Sequence, residues 1–147
     1  MIGGSTAAAH VLWTSVAGCG AQGGSTGGTT PVTPPASGSD AVVAQRTNEC
    51  ALACDTCVAA SLVHVARGMS AMLDCVRLAR ECGALCRAVS ALATTGSTRL
   101  AALAAICAAC CDECAAQCRS HAAHEPACGA CADACTACAA ACRAVTA

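Results

Sequence analysis

The stretch Cys128-Gly-Ala-Cys131-Ala-Asp-Ala-Cys135-Thr-Ala-Cys138-Ala-Ala-Ala-Cys142 repeats cysteine at intervals of 3, 4, 3 and 4 residues. Side chains three and four apart share one face of an α-helix, and a 3/4 alternation is the seam by which helices pack in bundles. A thiol stands where Leu or Ile normally would. Three upstream segments carry related stripes: Cys50, Cys54 and Cys57; Cys75, Cys82 and Cys86; and Cys107, Cys110, Cys111, Cys114 and Cys118. The sixteen thiols are expected on the inward phases of four helices.

Helix ends are marked by the residues between these stripes. From Asp40 onward only four glycines (Gly68, Gly83, Gly96 and Gly129) and one proline (Pro126) occur, among Ala, Leu and Arg, which favour helix. Gly68 follows the stretch 62–67, Thr94-Thr95-Gly96-Ser97 supplies a stop and a new start, and His121–Pro126 ends on a proline suited to a first helical turn. The spacing predicts helices over about 41–62, 68–94, 98–120 and 126–146. Short connections between long helices make antiparallel neighbours. The expected fold is all-α: an antiparallel up-down-up-down four-helix bundle with a cysteine-lined core, occupying residues 41–147. Gly83, between Cys82 and Cys86, costs some helix propensity and permits close packing.

The chain before residue 41 has another character. Residues 1–19 contain the apolar run Ala7-Ala8-Ala9-His10-Val11-Leu12-Trp13 and end in Val16-Ala17-Gly18-Cys19. Those last four resemble a bacterial lipobox, in which the cysteine is lipidated and becomes the new N-terminus, although no Arg or Lys precedes the run and His10 interrupts it. Residues 20–40, GAQGGSTGGTTPVTPPASGSD, read as a flexible linker, with a root-mean-square reach of roughly 25 Å. The expected order is a disordered leader ending at an anchoring Cys19, a tether, then the bundle. It implies an extracytoplasmic location, in the periplasm or cell envelope.

Composition excludes several functions. The 147 residues include 17 cysteines, no Phe or Tyr, and Trp13 as the single tryptophan. Eight Arg stand against nine Asp and Glu, for a net charge of −1, with no basic run or aromatic platform to bind nucleic acid. No apolar run reaches the length of a membrane span. The acidic residues fall on outward phases beside Arg, as on a solvated helix face. With no general base, activated nucleophile or substrate cleft in view, the expectation is a protein that is not an enzyme.

Three accounts of the thiols compete. Cysteine serves as a small buried hydrophobe in ones and twos, but sixteen would sacrifice packing volume without gain. Disulfide stapling suits an exported, cysteine-dense chain and would make this an extracytoplasmic structural or adaptor module. Links between CxxxC partners on one helix would, however, add little stability. The third account is metal. Zinc favours discrete tetrahedral sites and would bury net negative charge, and iron–sulfur clusters need compact four-cysteine cages. Copper(I) is soft, accepts two or three thiolates and shares bridging sulfurs. Replacing each thiol proton by one Cu⁺ leaves the interior neutral and avoids the cost of burying charge. Neighbours such as Cys50/Cys54, Cys82/Cys86 and Cys138/Cys142 could clamp an ion. Copper fits best, with stapling and iron–sulfur or zinc binding as the alternatives.

The two ends of the bundle should differ. The first and third connections fall at one end, beside His64, Met69, Met72, His121 and His124. These residues continue the stripes, with Cys57 to His64 seven residues apart and His124 to Cys128 four. Imidazole and thioether both bind copper, so this end is expected to be the mouth through which metal enters. The other end carries Val43, Val89, Leu92, Leu100, Leu103 and Val145 in phase, an aliphatic plug.

The segments NECALACDTC, DCVRLARECGALCR, ICAACCDECAAQCRSH and ACGACADACTACAAACR, within Cys50–Arg143, resemble the bacterial copper storage proteins. The resemblance implies multiple Cu(I) ions held by thiolates inside the bundle, for copper supply or detoxification, and assembly as a homotetramer. It makes ligands of Cys50, Cys54, Cys57, Cys75, Cys82, Cys86, Cys107, Cys110, Cys111, Cys114, Cys118, Cys128, Cys131, Cys135, Cys138 and Cys142, and a mouth of His64, Met69, Met72, His121 and His124. Two features depart from it. Ser61 takes the in-phase position after Cys57, and the twin-arginine signal of exported members is not visible.

Overall fold

The computed structural model describes residues 37–146; the lipobox, Cys19 and the linker up to residue 36 lie outside them. Four helices follow in order: α1, Gly38–Ala66; α2, Leu73–Thr94; α3, Leu100–Arg119; and α4, Pro126–Ala144. A single 3₁₀ turn, Ser70–Met72, leads into α2. α1 packs on α2 and α4, and α3 packs on the same two; diagonal helices meet through thiols at the centre, as Cys57 and Cys118 do at 3.8 Å. This is the expected up-down-up-down square.

α1 is longer than the sequence reading at both ends. It begins inside the stretch read as linker because Ser37 and Asp40 form a capping box: Ser37 Oγ accepts from the Asp40 N–H, and Asp40 accepts from the Ser37 N–H. It runs on to Ala66 and stops at Gly68, whose φ of +91° suits glycine; the Gly68 N–H donates to the Val65 carbonyl and that of Met69 to His64. Residue 68 therefore belongs to the turn, and α2 starts only after the 3₁₀ segment. Pro126 opens α4 as expected, with the Glu125 side chain accepting from the Ala127 N–H.

α1 and α3 are, contrary to the sequence reading, long and apolar enough to cross a membrane. Their hydropathy comes largely from alanine and from cysteines that face the other helices. Small residues set the packing: Ala51, Ala79, Ala104, Ala108, Ala115, Ala132 and Ala139 are buried between helices. A Cβ built on Gly83 would stand 3.4 Å from Cys54 Cβ, which is the close α1–α2 approach expected there. The plug is also present. Val43, Val89 and Leu100 are buried, with Leu92, Leu103 and Val145 packed against the same core, and the buried Thr47 hydroxyl is satisfied by the Val43 carbonyl at 2.8 Å.

Exposed pairs brace the outside, Arg87 to Asp55 across α2 and α1 and Arg143 to Asp112 across α4 and α3. Their exposure to water makes each worth little.

Candidate metal centre

Fifteen of the sixteen predicted thiols have no solvent exposure. Each comes from an inward phase that, on an ordinary bundle helix, would carry a branched aliphatic chain. All sixteen are free cysteines, and neighbouring sulfurs lie 3.5–4.0 Å apart, with Cys82 and Cys111 at 3.5 Å.

The sulfurs group into overlapping sets whose members all lie within 4.8 Å of one another. Nearest the plug is Cys86, Cys107, Cys111 and Cys138; next is Cys50, Cys82, Cys86 and Cys111; then Cys50, Cys54, Cys82 and Cys135; then Cys54, Cys114, Cys131 and Cys135. Each of these four sets shares two cysteines with the next, so the donors form a continuous column rather than separate cages. Cys142 lies beside the first set. The fifth set, Cys57, Cys75 and Cys118, is outermost, with Cys128 at 3.6 and 3.7 Å from Cys57 and Cys75. It joins the column through Cys114 and Cys118, 4.0 Å apart.

Contact among thiols in a medium without water shifts their proton affinities in opposite directions. Cys111 is pushed up, chiefly through its hydrogen bond with Cys107, and Cys135 through that with Cys111. Cys50 and Cys82 are held down, each chiefly by its interaction with the Cys111 thiol. A soft monovalent cation can take the place of each shared proton without charging the interior.

Cys110 does not join the column. It is adjacent in sequence to Cys111, a turn of about 100° on a helix, and a seam of 4, 3 and 4 already runs through Cys107, Cys111, Cys114 and Cys118. Its thiol is half-buried in a groove with Leu85, Ile106, Glu81 and Glu113. Burial, followed by the charge of Cys82, pushes it up to about 12. The expectation of sixteen inward thiols is therefore corrected to fifteen.

At the far end from the plug, all five predicted mouth residues line one cavity of about 340 Å³: His64, Met69, Met72, His121 and His124, with Glu125. Met72 is buried, His64 and His121 are half-buried, and Met69 and His124 are exposed. These side chains thus run from solvent inward to the outermost thiols, since Met72 precedes Cys75 by one helical turn.

Glu125 was missed by sequence reasoning, which put all acidic residues on outward phases. Its Oε2 lies 2.9 Å from His64 Nε2, and its carboxyl is held below the ordinary glutamate value, first by the Ala127 N–H and then by His64. With Nε2 turned to the carboxylate, the other ring nitrogen, Nδ1, is buried and without a partner among the described residues. The local signal was its place directly before Pro126, the N-cap of α4. Ser61, the gap in the cysteine stripe of α1, is buried among Cys57, Cys75 and Cys128.

Fold and site together define a four-helix bundle that encloses a column of soft sulfur donors, plugged at one end and open through imidazole and thioether at the other. The chain belongs to the copper storage protein family, whose model matches residues 37–147. Two solved structures are similar to it. Cu(I)-bound copper storage protein BsCsp3 is 31% identical, with a TM-score of 0.66, over 74% of this chain and 99% of that one. Apo-Csp3 from Bacillus subtilis is also 31% identical, with a TM-score of 0.64 and the same coverage. No curated protein sequence matches the chain.

Proposed function

We propose that this protein binds and stores multiple Cu(I) ions as thiolate complexes along the bundle interior. The observation that carries this reading is the sharing of cysteines between successive sulfur sets, which suits an ion that accepts bridging thiolates at low coordination number. Discrete tetrahedral zinc sites would instead need separate sets of four. The similar BsCsp3 structure, which is Cu(I)-bound, supports the same cargo. The fifteen buried thiols are the store, and His64, Met69, Met72, His121 and His124 pass copper between solvent and the outermost sulfurs. The role is non-enzymatic.

Anaerobic titration of the reduced chain with Cu(I) against a competing chelator tests this, with thiols counted after denaturation. Uptake on the order of ten or more ions per chain, near one per thiolate, is expected. Few free thiols in freshly isolated protein, with no uptake until reduction, would favour stapling. A brown chromophore would favour an iron–sulfur centre.

The leader and linker support a second element of the proposal. Cys19 is lipidated, and the tether of residues 20–36 holds the bundle at the outer side of a bacterial membrane. Labelled fatty acid should enter the wild-type chain and not Cys19→Ser. By family resemblance the bundles assemble as tetramers, which light scattering on the purified chain would measure.

A further inference from the structure

Ser61 is fully buried on the inward phase of α1, one turn beyond Cys57 and one turn before His64. Serine and threonine hydroxyls inside helices usually bond back to a carbonyl three or four residues earlier, as Thr47, Thr56 and Thr136 do here. Ser61 does not. Every partner of its hydroxyl is a sulfur: Cys57 at 3.8 Å, Cys75 at 3.9 Å and Cys128 at 3.8 Å, with Ser61 donating to Cys75. Cys57 and Cys75 belong to the outermost set, the last before the mouth cavity, and Cys128 adjoins it.

We propose that Ser61 is a positioning residue that makes the outermost copper layer the exchangeable one. This rests on the Cu(I) storage reading above. An alcohol oxygen is a hard donor and a poor ligand for Cu(I), so Ser61 occupies a cysteine position without contributing a ligand. Its O–H instead donates to the Cys75 sulfur. A hydrogen bond to a metal-bound sulfur draws electron density from it and weakens its donation to the metal. The ions held by Cys57, Cys75, Cys118 and Cys128 are therefore bound less firmly than those in the column below, where the sulfurs hydrogen-bond only to one another. They exchange first with the mouth.

The test is anaerobic release of Cu(I) from the fully loaded chain to excess chelator, followed as a time course, alongside the total copper held. Wild type should show a rapid phase of a few ions followed by a slow one. Ser61→Ala should keep the copper total and slow only the rapid phase, by roughly two- to tenfold, the worth of a single hydrogen bond. Ser61→Cys, nearly the same size, should hold about one more ion and lose the rapid phase, because one thiolate adds about one Cu⁺. A loss of copper in Ser61→Ala would make the hydroxyl a ligand and overturn the proposal, as would an unchanged release curve. If Ser61→Ala does not fold, Ser61→Cys decides alone: unchanged total and rate overturn the proposal. Wild-type protein that takes up no Cu(I) overturns the storage reading itself, whereas normal uptake with indifferent variants overturns only the role of Ser61.

Discussion

His64 Nε2 lies 2.9 Å from Glu125 Oε2, joining the last turn of α1 to the N-cap of α4 across the mouth of the bundle. One carboxylate does two things there: it caps α4 through the Ala127 N–H and orients the imidazole nearest the thiols. Glu125→Ala should lower stability by about 1 kcal/mol through loss of the cap and slow copper uptake. Glu125→Gln should recover the capping part of that stability, since its amide oxygen still accepts. Thermal unfolding and stopped-flow Cu(I) uptake would check both.

The same carboxyl gives a pH dependence. It is held below the ordinary glutamate value, so the fold favours its ionised form. The resulting stability is complete above the ordinary glutamate range and is lost as pH falls through the lowered value. Acid unfolding followed by circular dichroism should therefore be shallower in Glu125→Gln than in wild type.

Cys110 and Cys111 are neighbours in sequence with opposite surroundings. Cys111 belongs to two of the sulfur sets and Cys110 to none. Cys110→Ser should leave the Cu(I) total unchanged, whereas Cys111→Ser should lower it by roughly one or two ions. Titration against a chelator distinguishes the two.

Access separates the same pair chemically. In the metal-free chain a thiol-alkylating reagent should reach Cys110 before the fifteen buried cysteines of the bundle. With its thiol raised to about 12, the rate should rise about tenfold per pH unit over the range below that value, because the thiolate is the nucleophile. Peptide mapping by mass spectrometry locates the modification and gives the rate.

Gly83 tests how tightly α1 and α2 meet. An added Cβ would stand 3.4 Å from Cys54 Cβ and from an Arg87 nitrogen at the end of a long, flexible side chain. Gly83→Ala should thus be tolerated and gain roughly 0.5–1 kcal/mol from helix propensity. Gly83→Val should overpack the contact and cost about 1–3 kcal/mol. Thermal melts of the metal-free chain measure both.

Periodicity alone determined much of this protein. The 3, 4, 3, 4 run from Cys128 to Cys142 fixed a helix and its inward face, because only one helical phase collects those positions. Gly68, Gly96 and Pro126 marked where the chain turns, each for a stereochemical reason local to the residue. Antiparallel connection then put His64, Met69, Met72, His121 and His124 at one end, and the cavity they line was legible before any coordinates. Tertiary structure decided what depends on neighbours from other helices. Cys110 has the right residue type but the wrong angle once Cys107 and Cys111 have claimed the seam. Glu125 looked like solvated charge until α4 placed it against His64, and Ser61 looked like a missing ligand until three sulfurs closed around its hydroxyl. Helical phase is a property of one segment, whereas the partner of a buried polar atom is set by the packing of several.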